Sequence, residues 1–124
     1  MPQPRHAIGP STSNENFSSA IVAAGLVFVS GQGPIVAGVR EPVGETIEEQ
    51  TRLTLQNLQA ILADAGCGLS NCVKVTVYLA DLAEYDRFNA VYREFFPHPR
   101  PARTLVGAAL NFGIKVEIDA IAVR

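Results

Sequence analysis

Two stretches of the chain, residues 46–65 and 82–96, repeat apolar side chains at helical spacing, and no other stretch does. In the first, Thr46 and Glu49 stand as a capping box, in which each side chain satisfies a free backbone donor. Ile47, Thr51, Leu55, Leu58, Leu62 and Ala65 follow on one face, and Gly66 sits where a left-handed cap closes a helix. In the second, Asp81 and Glu84 suggest another capping box. Leu82, Tyr85, Phe88 or Asn89, Tyr92 and Phe96 form the stripe, and Pro97 ends it. Two helices of this length cover one face of a single sheet and no more. That limit governs every reading of the remaining segments.

Those segments read as strands. Residues 19–23 and 26–30 form a hairpin around Ala24-Gly25. Ser30-Gly31-Gln32-Gly33-Pro34 then breaks the strand, and a Gly/Pro-rich loop runs to about Gly44. Val73, Val75, Val77 and Leu79 alternate with Cys72, Lys74, Thr76 and Tyr78. Residues 102–108 and 114–123 are two further strands, with Asn111-Phe112-Gly113 as the turn, and residues 1–18 are a loop-rich lead-in. The order is β-β-α-β-α-β-β, an α+β domain spanning residues 1–124, with both helices on one face of the sheet. Yet Leu26, Val27, Phe28 and Val29 are apolar on both faces of one strand, as are Ile121, Ala122 and Val123 of another. A sheet face left in water should alternate with polar residues. The second face is therefore expected to pack against other copies of the chain; the alternative is that the N-terminal loop covers these strand ends.

Composition narrows the function. Among 124 residues, 48% are apolar and 18% charged, enough for a packed core. The net charge is −2 and the ten Lys and Arg are scattered singly, so no counterion-releasing nucleic-acid surface is expected. No apolar stretch has the length of a membrane span, and the first twenty residues lack a signal peptide's apolar core, so a cytoplasmic protein is expected. Cys67 and Cys72 do not form a CxxC pair and read as reduced thiols. His6 and His98 have no second ligand near them in sequence, so no metal is expected.

Phosphate-loop, HExxH and GxSxG motifs are absent. What remains is a set of polar residues in apolar strand surroundings. Arg103 precedes Leu105-Val106, and Glu117 lies within a strand with Lys115 and Asp119 on its own face. Ser30 ends an apolar strand, and Asn89 borders the second helical stripe. A guanidinium beside a sheet suits two-pronged binding of a carboxylate, and a shielded carboxylate can activate water. The pair suggests addition of water to a small carboxylate-bearing electrophile. The plainer alternatives are an Arg–Glu salt bridge, a turn at Ser30 and a satisfied amide at Asn89.

The segments VFVSGQGP (27–34), QTRLTLQNLQAILADAG (50–66), VKVTVYLADLAEYDRFNAVYREFF (73–96), PAR (101–103) and IKVEIDAIAV (114–123) together resemble the RidA/YjgF family, in its order and spacing. The resemblance implies a chorismate-mutase-like fold and a homotrimer whose sheets form a central β-barrel. It implies hydrolytic deamination of reactive enamine and imine acids, of the 2-aminoacrylate/2-iminopropanoate type, to 2-keto acids and ammonia, without metal or organic cofactor. It also implies that Arg103 grips the substrate carboxylate and Glu117 stands near the attacking water. Phe17, Ser30, Gly31 and Asn89 would be pocket positions, and the backbone of Leu105 would face the substrate nitrogen.

The chain departs from the family pattern at three places. Phe17 stands where Tyr is frequent, Leu105 where Cys is frequent and Gly107 where Glu is frequent. The pocket is thereby expected to be more apolar or roomier. Three alternatives to 2-aminoacrylate chemistry follow: deamination of a ring-cleavage enamine such as 2-aminomuconate, an endoribonuclease or translation inhibitor, and a non-catalytic binder of small carboxylates.

Overall fold

The structure, a computed structural model, describes residues 4–8, 16–37 and 39–124. Among the described residues six strands form one sheet: β1 Arg5–Ile8, β2 Ala20–Ala23, β3 Leu26–Gln32, β4 Cys72–Leu79, β5 Ala102–Gly107 and β6 Val116–Val123. Their spatial order is β1-β2-β3-β6-β4-β5. Every neighbouring pair is antiparallel except β4 and β5, which run parallel. Parallel neighbours need a crossover, and helix α2 (Tyr85–Phe95) supplies it. Helix α1 (Ile47–Asp64) joins β3 to β4.

Helix α1 forms as its sequence dictates. Thr46 Oγ1 accepts from the Glu49 amide at 3.1 Å, and Glu49 Oε1 accepts from the Thr46 amide at 3.1 Å. Such a cap is worth about 1 kcal/mol. Gly66, at φ +82°, takes the left-handed conformation that ends the helix. Ile47, Leu55, Leu58 and Leu62 are fully buried with Val27, Val75, Val77, Val116 and Ile118 in one core between the helices and the sheet. Truncating Leu58 to Ala would cost about 2–5 kcal/mol through lost transfer energy and the cavity left behind.

Both helices lie on one face of a mixed sheet, as expected. Three local expectations are corrected. The lead-in is not all loop, because Arg5–Ile8 pairs with β2; four residues carry too little periodicity to announce a strand whose partner lies further along the chain. The remainder of that reading, residues 1–3 and 9–15, lies outside the described residues. Strand β3 does not stop at Ser30 but continues to Gln32 through a register irregularity against β6 between Val29 and Gln32. A glycine at position 31 accommodates such a bulge. Asp81 and Glu84 do not form a capping box: Asp81 Oδ1 accepts from the Ala83 amide at 2.9 Å and opens a 3-10 turn, Leu82–Glu84, ahead of α2.

The other sheet face carries apolar side chains in the open. Ile21, Phe28, Ile121 and Val123 share it, and Phe28 and Val123 are each 42% exposed. Among the described residues, no helix is long and apolar enough to cross a membrane.

Candidate active site

Two polar side chains of α1 fix the loop that leaves β3. Asn57 Nδ2 donates to the carbonyls of Gly33 and Ile35, each at 2.9 Å, and pins the chain where it leaves β3. Buried Gln50 donates to the Gly44 carbonyl at 3.0 Å and accepts from the Lys115 amide at 2.9 Å, tying the same loop to the start of β6. Neither was singled out in the sequence, because a polar residue beside a helical stripe reads as a solvated flank. These two side-chain amides hold the loop in place.

The result is a cleft of about 940 Å³ lined by Phe17, Ser30, Gly31 and Glu117, together with Asn111 and Phe112. Ser30 shapes it through the backbone: its hydroxyl donates to the Ser18 carbonyl at 2.6 Å, and its amide donates to the Ser19 carbonyl at 2.9 Å. These bonds place Phe17 at the cleft. Gly31 lies against Glu117 so closely that a Cβ there would stand 2.5 Å from Glu117 Oε2. The space that glycine leaves is occupied by the carboxylate. Burial, and secondarily the charge of Asp119, push the Glu117 carboxyl above the usual carboxylate range. Asp119 itself accepts from the Tyr78 hydroxyl at 3.1 Å.

Arg103 is built differently. Four residues of α2 at helical spacing, Tyr85, Phe88, Asn89 and Tyr92, meet its guanidinium. Asn89 Oδ1 accepts from Nη1 at 2.8 Å, and Nη2 approaches the Tyr85 hydroxyl at 3.4 Å. The rings of Tyr92, Phe88 and Tyr85 lie 4.7, 5.8 and 5.9 Å from the guanidinium carbon. Among the described residues Arg103 has no carboxylate within ion-pair distance. A half-buried cation held by rings and an amide oxygen keeps its hydrogen-bonding edge for an external anion. Leu105 and Gly107 follow Arg103 on the same face of β5, in register with Val77 and Leu79 as Arg103 is with Val75.

The sequence-derived residues therefore separate into two groups. Phe17, Ser30, Gly31 and Glu117 share the cleft; Arg103, Asn89 and Leu105 lie on the helix-bearing face of the sheet edge. The stripe residues Tyr85, Phe88 and Tyr92 also hold Arg103, which projects from β5 against α2. The plainer salt bridge between Arg103 and Glu117 is not formed. Cys72 is buried, its thiol pushed up to about 12, and burial raises Cys67 as well, so neither favours the thiolate. No group of three or more His, Cys, Asp or Glu among the described residues could hold a metal ion.

A family model described as endoribonuclease L-PSP matches residues 7–124. The chain belongs to this family, the YjgF/RidA family. The mitochondrial protein mmf2 of Schizosaccharomyces pombe is 42% identical over 110 residues, 86% of this chain and 86% of its own. The chloroplastic Reactive Intermediate Deaminase A of Arabidopsis thaliana is 41% identical over 117 residues, 94% of this chain and 59% of that protein. The crystal structure of E. coli TdcF with bound serine superposes with a TM-score of 0.85 at 32% identity, over 96% of this chain and 98% of that one. The YjgF/RidA family thus includes a reactive intermediate deaminase, and its fold is the one described above.

Proposed function

We propose that the chain hydrolyses small 2-imino or enamine acids to 2-keto acids and ammonia. The observation that carries the reading is Arg103: a guanidinium with three rings and an amide oxygen about it, and no carboxylate partner of its own among the described residues. That is a site for a carboxylate. The serine bound to the relative TdcF is an amino acid and carries one. The relative named Reactive Intermediate Deaminase A supports the reaction class.

In the proposed reaction, Arg103 binds the substrate carboxylate through its planar fork. Glu117, ionised, takes a proton from water as the water oxygen bonds to the imine carbon and the nitrogen accepts a proton. The protonated Glu117 then gives its proton to the carbinolamine nitrogen, the C–N bond breaks, ammonia leaves with the bonding pair, and the carbonyl forms as the hydroxyl proton passes to solvent, replacing the one the imine nitrogen took up. Within one chain, Arg103 and Glu117 stand on opposite sheet faces. Both act on one substrate only if the site joins Arg103, Asn89 and Leu105 of one copy to Phe17, Ser30, Gly31 and Glu117 of another. The apolar open face is the surface on which copies would meet, as a homotrimer with the sheets innermost. Phe17, Leu105 and Gly107 favour a substrate with an apolar substituent, and a ring-cleavage enamine remains within that class.

A second reading, RNA cleavage, is favoured by the family's description as endoribonuclease L-PSP. Scattered basic residues and a net charge of −2 oppose it. Ammonia and keto-acid release from 2-aminoacrylate generated in situ tests the first reading. RNA cleavage that survives several purification columns and vanishes in Arg103→Ala would replace it with the second.

A further inference from the structure

We infer that Tyr85 is a substrate-binding residue, its hydroxyl donating to the same carboxylate that Arg103 holds. This rests on the carboxylate-binding reading of Arg103. Of the three rings around the guanidinium, Phe88 and Tyr92 are buried beneath it, whereas Tyr85 is 43% exposed. Tyr85 opens α2, following directly on the 3-10 turn, so its ring sits at the margin of the site and not in the core.

The hydrogen-bond directions decide its role. Arg103 is a donor at every nitrogen, so Nη2 donates to the Tyr85 oxygen across 3.4 Å. The Tyr85 proton must then point away from the guanidinium. Among the described residues, that proton has no acceptor. Asn89 Oδ1 occupies Nη1 from the helix side at 2.8 Å. What is left facing outward is a contiguous row of donors, the free N–H groups of Arg103 followed by the Tyr85 O–H. A carboxylate has two oxygens with two lone-pair directions each, so it can accept from the guanidinium fork and the phenol together. Phenylalanine at position 85 would keep the ring and its contact with the cation but lose the donor.

The experiment measures pyruvate affinity by NMR titration, imine turnover and the thermal melt for the native protein, Tyr85→Phe and Arg103→Ala. A lost hydrogen bond to a charged group predicts about tenfold weaker pyruvate binding in Tyr85→Phe. The melt should be unchanged, and the turnover loss should lie in KM and not in kcat. Native pyruvate affinity in Tyr85→Phe, alongside a large loss in Arg103→Ala, would overturn the assignment of Tyr85 alone. A loss in Tyr85→Phe confined to kcat would overturn it too. Native affinity in Arg103→Ala would overturn the carboxylate site itself.

Discussion

Arg103 and Glu117 stand on opposite faces of one sheet. Arg103 is in register with buried Val75 on the face that the helices cover, and Glu117 is in register with Tyr78 on the face they leave open. Side chains alternate along a strand, so no rotamer change brings the two together within a chain.

Complementation follows directly. Arg103→Ala and Glu117→Gln should each abolish most turnover alone. Unfolded together in equal amounts and refolded, they should recover about a quarter of native activity, the fraction of shared sites that receive both native residues in a ring of copies. Mixed protein as inactive as either parent would contradict a shared site.

Light scattering gives an independent check on the assembly. A trimer runs near three times the 13.3 kDa chain mass. Phe28→Glu would put a charge into the apolar face and should shift that mass toward the single chain. A native monomer at micromolar concentration would exclude the assembly.

Glu117 predicts the acid limb of the pH–rate profile. Its carboxyl is held above the usual range by burial and then by Asp119, and it must be ionised to take a proton from water. Activity should therefore fall as pH drops, and earlier than for an ordinary carboxylate. Asp119→Asn removes the neighbouring charge and should move the limb to lower pH. The stability sign is opposite: because the folded state favours the protonated carboxyl, Glu117's contribution is full below the ordinary carboxylate pKa and is lost as pH rises through the raised one. A limb that does not move in Asp119→Asn would exclude that charge as a cause.

Gly31→Ala should fold and lose turnover. The added methyl would stand 2.5 Å from Glu117 Oε2, so the carboxylate must shift. A misplacement of this size costs on the order of 10–100-fold in rate. Native kcat with a native melt would mean that the carboxylate's position is not critical.

Tyr92→Phe should preserve Arg103 and stabilise the fold. The Tyr92 ring lies under the guanidinium, while its buried hydroxyl makes no hydrogen bond of good geometry among the described residues, and burial pushes the phenol up to about 12 against the opposing pull of the Arg103 charge. Removing an unsatisfied buried hydroxyl should raise stability by roughly 1 kcal/mol, read by urea unfolding at fixed protein concentration. A loss of stability would show that the hydroxyl is satisfied.

Periodicity alone determined much of this architecture. The capping box at Thr46 and Glu49, the left-handed Gly66 and the stripe through Leu62 are local, so α1 is legible to within a residue at each end. The alternation of β4 and the limit of two helices implied a sheet with one face covered by helices. The residues of the site were legible as chemistry, an arginine and a carboxylate among apolar neighbours, and the resemblance attached roles to them. Pairing was not legible. That Arg5–Ile8 joins β2, that β5 runs parallel to β4, and that Arg103 consequently lies under Tyr85, Phe88 and Tyr92 depend on contacts between segments far apart in the chain. Gln50 and Asn57 escaped notice for the same reason, since their partners in the loop after β3 and before β6 are 22 to 65 residues away, or across a single turn at Gly44. A side chain's parity along its strand is local information, but which face a helix covers is a property of the packed whole, and it put Arg103 and Glu117 on different sides of the sheet.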